Sequence, residues 1–449
     1  MDFKLHCCNE TTNERAIFYY NNEDNTLLDS KGNFIIKKSN NFASKELPII
    51  SPDNPGKKDK DNIRIIKIQL GLGCNTKCKY CRQSECSTSN YTHGSIEIDR
   101  FVDSLPSVSG GGESVFQFWG GEPLLYWDTL KSLAEEIRHR YPEATLYTLT
   151  NGSLLDYEKN EWLDHMGFVV GVSHDGPGQY NRGNDPLFNI KQREVVFDLF
   201  NRLNNKVRFS FCPTITKDNS DRQVINDWFR REIGHSYFCL GEGNFMHATA
   251  EEHVSSCLVT PGEMHSYSLL YLTELRNEAM KNMLMGPINM GIMRDSLQYH
   301  RSWDSLRTAC SCDKEEVIDV TLRGEVIVCH NFPADHISSN GEPMRVGFLD
   351  KLDEVCVNTT IPWYTIEECK NCPVLHMCAG DCPLTPFNLR TCNCNNSFSD
   401  RIPYLAVAIE QITGYLPYFI EGSCAEEQKD IFGVAETGDY FKLFFNPTK

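Results

Sequence analysis

The sequence lacks a long apolar run, an excess of positive charge and an apolar N-terminal stretch. A membrane-spanning helix needs roughly 18 or more consecutive apolar residues, so the absence of such a run predicts no span. Residues 1–10 hold two acidic residues and two cysteines where a secretory signal needs an apolar core, so we expect a cytoplasmic protein. The net charge of −17 argues against a nucleic-acid partner.

Cysteine, by contrast, is abundant, with 20 in 449 residues. A chain of this length in a reducing compartment does not need disulfides to fold, which favours metal binding by cysteines that occur in groups. One group lies at residues 74–81 and a larger one at residues 310–394. The scattered cysteines are interpreted as small buried hydrophobic side chains; they are Cys7, Cys8, Cys86, Cys212, Cys239, Cys257, Cys356 and Cys424.

The N-terminal segment, residues 1–62, is predicted to be a short β-rich unit followed by a linker. Residues 16–20 and 33–38 are typical of strands, and residues 29–32 between them have turn chemistry. Residues 51–62 are polar and contain proline and glycine, which indicates a linker.

From residue 63 onwards, apolar strand segments alternate with helical segments, the pattern of a parallel sheet with helices outside it. Six such strands predict an α/β fold, a partial (β/α)6 barrel, whose ligands bind at the carboxyl ends of the strands. The strand segments are residues 63–70, 114–119, 145–150, 168–173, 207–215 and 236–240.

The barrel is expected to occupy residues 63–300, with a helical stretch at about 261–285 near its end. A cysteine-rich domain with one hairpin, at residues 317–329, follows at 301–400. The remaining residues, 401–449, are predicted to form a C-terminal helix and tail.

Cys74, Cys78 and Cys81 form a compact set of soft ligands directly after the first strand of the barrel. Structural zinc takes four protein ligands, and no fourth is in the obvious place. A four-iron cluster with three cysteine ligands instead leaves one iron open to a substrate or cofactor.

This C-x3-C-x2-C loop resembles the signature of the radical S-adenosylmethionine (SAM) enzymes, and residues 118–125 resemble that family's Gly-Gly-Glu-Pro motif. The resemblance implies that the three cysteines bind a [4Fe-4S] cluster whose open iron holds SAM. It further implies reductive cleavage of SAM to a 5′-deoxyadenosyl radical.

The same resemblance implies which side chains contact SAM. Glu122 would meet its ammonium group, Ser173 and Asp175 its ribose, and Tyr80 would lie near the adenine. Arg182 could hold the SAM carboxylate. The full set of implied cofactor-binding residues is Tyr80, Gly120, Gly121, Glu122, Pro123, Asn151, Ser173, Asp175 and Arg182.

The cysteines at residues 310–394 are too many for one zinc site, and their spacing resembles the SPASM extension of radical SAM peptide and protein maturases. The resemblance implies two auxiliary [4Fe-4S] clusters. The ligands of the first would be Cys329, Cys382 and one or both of Cys310 and Cys312, with Cys312 preferred. Those of the second would be Cys369, Cys372, Cys378 and either Cys392 or Cys394, with Cys394 preferred.

The function implied is hydrogen abstraction from a ribosomally made precursor peptide, with a flavodoxin or ferredoxin as electron donor. Residues 173–187, 320–332 and 372–382 look most like the maturases that cross-link aromatic side chains into cyclophanes. Thioether formation, epimerisation and formylglycine formation would use the same cofactors. His330 occupies the position at which sulfatase-maturing enzymes carry an aspartate base, and it is the candidate for taking a proton.

Two alternatives remain at this point. One is a radical SAM enzyme acting on a small molecule or on tRNA, against which the acidic charge and the second cysteine group argue. The other is a zinc-binding scaffold protein without chemistry.

Overall fold

The computed structural model describes residues 2–37, 56–83, 95–105, 114–234, 238–241, 245–277, 285–338, 341–358 and 362–422. Cys86 and Cys424 lie outside these residues, as do 38 and 51–55 of the predicted strand and linker and 236–237 of the predicted last barrel strand. Within the described residues, no helix combines the length and the apolar character that crossing a membrane requires.

The core is a sheet of five parallel strands in sequence order, with helices outside it, as the sequence predicts. Helix α2 shows why: its apolar residues recur at i, i+3, i+4 and i+7, which turns one buried stripe towards the sheet. The strands are β5 (Ile65–Gly71), β6 (Val115–Gly120), β7 (Thr145–Thr150), β8 (Val169–Val172) and β9 (Phe209–Phe211). The helices are α1 (Ser95–Ser104), α2 (Trp127–Arg140), α3 (Tyr157–His165), α4 (Ile190–Leu203) and α5 (Arg222–Ile233).

The described part of the predicted sixth barrel strand, residues 238–240, does not form a full strand. Of these residues only Leu240 pairs with the sheet, through a parallel bridge to Phe211. The predicted strand at 207–215 is likewise shorter and spans Phe209–Phe211. Val207 adopts a left-handed conformation with φ of 56°, so the strand begins only after it.

A hairpin from the cysteine-rich region extends the same sheet on its other side. Strand β10 (Val317–Thr321) pairs in parallel with β5, so that Asp319 lies opposite Lys67. Strands β11 (Glu325–Ile327) and β12 (Arg345–Phe348) continue the sheet in antiparallel fashion. The sequence predicts this hairpin but gives no sign that it joins the barrel.

The N-terminal segment forms a four-stranded sheet with a strand from the far end of the chain. The order is β14 (Leu416–Glu421), β1 (Asp2–Cys8), β2 (Arg15–Asn21) and β3 (Thr26–Asp29). The predicted strand at residues 33–38 is wrong: of its described residues only Phe34 forms a bridge, to Leu28, after the turn that follows β3.

The C-terminal elements also differ from expectation. The single helical stretch at 261–285 is two helices, α6 (Pro261–Arg276) and α7 (Met285–Gln298). The last helix begins at residue 390 rather than after 400. This helix is α10 (Arg390–Thr413). Short elements precede it: strands β4 (Gly56–Lys57) and β13 (Cys356–Val357), which pair with each other, and helices α8 (Glu367–Lys370) and α9 (Leu375–Cys378).

Candidate active site

The loop of the first three cysteines leaves β5 at its carboxyl end and is fixed to the turn after β6. The Gly121 amide donates to the Gly71 carbonyl at 3.0 Å, and the Glu122 amide donates to the Gly73 carbonyl at 2.9 Å. A Cβ on Gly121 would lie 2.3 Å from the Gly73 oxygen, so only glycine allows the two turns to approach this closely. The Gly-Gly-Glu turn is therefore the support of the cysteine loop.

The thiols of this loop stand at its outer side: Cys74 is exposed, whereas Cys78 and Cys81 are half-buried. The Thr76 hydroxyl lies 3.2 Å from the Cys74 sulfur. In the described part of the chain, no group of three or more His, Cys, Asp or Glu side chains is close enough to share one metal ion. Cysteines that bind different irons of one cluster stand further apart than that, so this loop suits a cluster better than a zinc ion.

The Glu122 carboxylate is hydrogen-bonded within the protein, and its contact with a cofactor ammonium group stays a prediction. It accepts hydrogen bonds from the Leu124 amide at 3.0 Å, the Asn151 amide at 2.7 Å and the Thr150 hydroxyl at 2.7 Å. The side chain is 1% exposed, and burial raises its pKa. In this structure Glu122 joins the carboxyl ends of β6 and β7, and Pro123 begins the buried helical turn Pro123–Tyr126.

Asn151 connects β7 to the cysteine loop. Its amide donates to the Asn75 side chain at 2.8 Å, and the Asn75 amide donates in turn to the Ser153 hydroxyl at 2.9 Å. Asn75 lies between the first two cysteines, so the sequence correctly places Asn151 next to this loop.

The Asp175 carboxylate and the Arg182 guanidinium bind each other, at 2.9 Å from Nε to Oδ1, and their contacts to ribose and SAM carboxylate stay predictions. Asp175 also accepts from the Tyr80 hydroxyl and from the Thr214 amide, the latter at 2.8 Å. Arg182 lies over the Tyr80 ring, 5.5 Å from its centroid. Burial opposes the charge on Arg182, but Asp175 keeps its pKa above the usual range.

This network positions the last cysteine of the loop, because Tyr80 directly precedes Cys81. The Lys79 amide donates to the Asn181 carbonyl at 2.8 Å, which ties the loop to the turn after β8 from the other side. Ser173, at the end of β8, is 7% exposed, and its amide donates to the Thr150 carbonyl.

Four cysteines of the second group come together beside the β10–β11 hairpin. The Cys312 thiol donates to Cys310 and lowers the pKa of that thiol to about 6, despite burial. The charges that act on Cys329 include those of Cys310 and Cys382. Both cysteines of the C-x-C pair therefore belong to this set, so the preference for Cys312 alone is not needed. We call it the hairpin set: Cys310, Cys312, Cys329 and Cys382.

A second set lines a cavity of about 760 Å³ between α8, α9 and the start of α10. Burial raises the pKa of Cys369, Cys372 and Cys378, and the charge of Cys394 raises it further. Cys392 is not part of it: its thiol donates to Cys257 instead. Of the C-x-C pair Cys394 lines the cavity, and which of the two cysteines binds a cluster stays a prediction. We call these four the cavity set: Cys369, Cys372, Cys378 and Cys394.

Cys382 lines the same cavity as Cys378, but we place it in the hairpin set because the thiol charge that acts on it is that of Cys310. In the turn between Cys378 and Cys382, Ala379, Gly380 and Asp381 are all left-handed, with φ of 48°, 77° and 62°. The buried Asp381 carboxylate holds the turn, since it lies 2.8 Å from Nδ1 of His247 and 3.9 Å from Nη2 of Arg401.

His330 follows Cys329 and is fixed on two sides. Its Nδ1 lies 2.6 Å from Oδ1 of Asp319, and its ring stacks on Trp119 with centroids 4.5 Å apart. The Trp119 ring is also 6.0 Å from that of Tyr147. Asp319 and Lys67 were not predicted as site residues from the sequence. Each is the single charged residue of a largely apolar strand segment, residues 317–321 and 65–68, and that pattern could have indicated them.

Comparison with known proteins agrees with this geometry. Residues 68–225 match the family model of the Radical SAM superfamily. A cysteine-type anaerobic sulfatase-maturating enzyme of Clostridium perfringens (strain 13 / Type A) is 25% identical over 327 residues, which cover 69% of this chain and 86% of that protein. The radical SAM cyclopropyl synthase TigE of Paramaledivibacter caminithermalis is 24% identical over 177 residues, 36% of this chain and 37% of that protein.

A solved structure, native anSMEcpe with bound AdoMet and Cp18Cys peptide, superposes with a TM-score of 0.53 at 18% identity and covers 77% of this chain and 99% of that one. This likeness establishes the fold of the barrel and its cysteine-rich extension.

Proposed function

Because this chain carries a radical SAM domain and is an enzyme, we propose that it modifies a ribosomally made peptide by forming an intramolecular cross-link. A carbon–carbon bond to an aromatic side chain, giving a cyclophane, is the favoured product. Two observations support this proposal. The chain supplies two further sets of four thiols besides the first loop, and an aromatic group of Trp119, Tyr147 and His330 lies at the core sheet.

The residues present fit the cofactors that this activity needs. Cys74, Cys78 and Cys81 would hold a four-iron cluster with one open iron, and SAM bound there supplies a carbon radical that abstracts hydrogen. The hairpin set and the cavity set would hold two auxiliary clusters. The cofactor-binding residues would be the nine implied by the resemblance, with Glu122, Asp175 and Arg182 shaping the site through contacts within the protein.

The roles of the chain's own residues follow from their contacts. The glycines of the turn after β6 hold the cysteine loop against the sheet, so the cluster stays at the carboxyl ends of the strands. The Tyr80, Asp175 and Arg182 network fixes the loop at its other end. His330, oriented by Asp319, presents an aromatic face together with Trp119 to a peptide side chain.

Formylglycine formation is the second candidate, favoured by the similarity to the sulfatase-maturating enzyme over 69% of this chain. The presence of His330, where the family resemblance leads one to expect an aspartate, argues against it. The zinc scaffold is set aside because the relatives are enzymes.

Mass spectrometry of a short peptide encoded beside this gene, co-expressed with the enzyme, tests the proposal. Loss of two hydrogens, with tandem spectra that place the new bond between carbons of an aromatic residue and a neighbour, supports the cross-link. Conversion of a cysteine with loss of its sulfur supports formylglycine formation. No mass change together with no 5′-deoxyadenosine overturns the proposal.

Metal analysis adds an independent check on the cofactors. Three four-iron clusters require about twelve irons and labile sulfides per anaerobically purified chain. Bound zinc without sulfide contradicts the cluster assignments, whatever the peptide result. In an assay with purified enzyme, dithionite can replace the electron donor, which is a flavodoxin or ferredoxin in this proposal.

A further inference from the structure

The turn between β2 and β3, residues 22–25, is buried against the loop that carries two cysteines of the cavity set. Asn22 is 0% exposed, and its side-chain amide donates to the Lys370 carbonyl and to the Cys372 carbonyl, each at 2.9 Å. Nε2 of His376 lies 2.7 Å from the Asn22 carbonyl, so the imidazole ring donates to the turn. Both the side chain and the backbone of Asn22 therefore hold this loop.

The two carbonyls that Asn22 contacts need a donor from outside their own loop. Lys370 is the last residue of α8, and the last carbonyls of a helix have no partner within it. The Cys372 carbonyl also accepts from the Leu375 amide, at 3.3 Å. Asn22 fills the space beside both oxygens, so a residue of the same size without N–H donors would leave them without these hydrogen bonds, which is costly.

The turn itself is fixed by contacts that involve no cysteine. Asn25 is 0% exposed, and its side-chain amide donates to the Arg301 carbonyl at 3.0 Å while its side-chain oxygen accepts from the Tyr20 hydroxyl at 2.8 Å. The Trp303 amide donates to the Glu23 carbonyl at 2.7 Å. The N-terminal sheet thus presents its turn to the cysteine loop from a support of its own.

We propose that Asn22 is a positioning residue for the auxiliary cluster of the cavity set, and that the N-terminal sheet holds the binding loop of this cluster in place. The inference rests on the proposed function, in which the cavity set binds a four-iron cluster. Groups that hydrogen-bond around metal ligands orient those ligands, and their loss weakens metal binding about 10- to 100-fold. Because Cys369 and Cys372 lie on either side of residue 370, one side chain fixes the segment that carries two of the four thiols.

The test is iron and sulfide analysis of the anaerobically purified holoenzyme, with electron paramagnetic resonance of its reduced clusters. Asn22→Asp keeps the shape of the side chain and loses both N–H donors, and Asn22→Leu loses them without adding charge. Asn25→Asp is the matched control, because it makes the same change in the same buried turn, at a residue whose hydrogen bonds go to Arg301 and Tyr20 instead. Cys372→Ser provides the spectrum of a protein without the cavity-set cluster.

We expect both Asn22 variants to lose about four irons per chain, whereas Asn25→Asp keeps the iron content of the parent protein. The spectrum that remains in the Asn22 variants should match that of Cys372→Ser. Combining Asn22→Asp with Cys372→Ser should remove no further iron, because both changes act on one cluster. The signal that changes when SAM is added, which belongs to the N-terminal cluster, should persist in every variant.

Parent iron content and spectrum in both Asn22 variants overturn the inference, and so does an equal loss of iron in Asn25→Asp. Iron loss in Asn22→Asp without loss in Asn22→Leu attributes the effect to the added charge and also overturns it. If neither variant folds, Asn22→Ser keeps one hydroxyl donor and should release iron to a chelator faster than Asn25→Asp does; an equal rate overturns the inference. Unchanged iron in Cys372→Ser instead overturns the cluster assignment in the proposed function.

Discussion

The two cysteine regions of this protein are held in opposite ways. The N-terminal loop stands at the surface, with Cys74 exposed, and is fixed mainly by backbone hydrogen bonds from the Gly-Gly-Glu turn. In the hairpin and cavity sets seven of the eight cysteines are half-buried or buried and Cys310 is exposed, and the buried Asp381 carboxylate lies in the turn between Cys378 and Cys382. The first loop is thus held mainly by its backbone, whereas a buried side-chain charge supports the other two sets.

This difference implies that the N-terminal cysteines can be replaced without loss of the fold, while changes around the other two sets affect cluster content and stability together. Each of the following variants separates these effects.

The largest effect is expected for Cys78→Ala. Cys78 is half-buried in the surface loop, so its loss should abolish reductive SAM cleavage and change the free energy of unfolding by less than about 1 kcal/mol. The measurement is 5′-deoxyadenosine formed with dithionite, beside thermal unfolding. Continued formation of 5′-deoxyadenosine by the variant would show that this loop is not the SAM site.

The two members of the last C-x-C pair should behave differently. Cys394 lines the cavity and Cys392 donates to Cys257, so Cys394→Ser should lose about four irons per chain and Cys392→Ser none. Iron and sulfide analysis of anaerobically purified variants measures this. Equal loss from both serine variants contradicts the division.

Replacing Asp381 tests the support of the hairpin and cavity sets. Asp381→Ala leaves the 4%-exposed Arg401 and the buried His247 without their carboxylate, which should cost about 3–5 kcal/mol of unfolding free energy. Asp353→Ala, which removes the exposed partner of Lys60, is the control and should cost less than about 1 kcal/mol. Denaturant unfolding under anaerobic conditions distinguishes the two, and similar values for both would refute a buried anchor.

The smallest effect is expected at the support of the N-terminal loop. Gly121→Ala places a Cβ 2.3 Å from a backbone oxygen and should cost about 1–3 kcal/mol, with weaker SAM binding. Gly262→Ala, where a Cβ meets nothing within 4 Å, should leave both unchanged. Unfolding and equilibrium SAM binding are the measurements, and an unaffected Gly121→Ala protein would mean that the two turns are not closely packed.

Much of the site could be predicted because its residues follow neighbouring parallel strands. The cysteine loop and the Gly-Gly-Glu turn each follow a strand, and parallel strands bring their carboxyl ends together, so their contact follows from the pattern. The hydrogen-bond partners that Glu122, Asp175 and Arg182 have within the protein could not be predicted, because a carboxylate or a guanidinium pairs with any suitable group that the fold brings near it. Only the folded geometry shows which groups those are.

The sequence by itself determined the alternation of strands and helices and the positions of the two cysteine groups, since periodicity and spacing are local properties. Tertiary structure alone decided that β14 pairs with β1, that the β10–β11 hairpin extends the barrel sheet, and that Cys394 rather than Cys392 faces the cavity. Each of these depends on residues far apart in the chain. Such pairings are selected by the total burial and hydrogen bonding of the folded molecule, which no local pattern records.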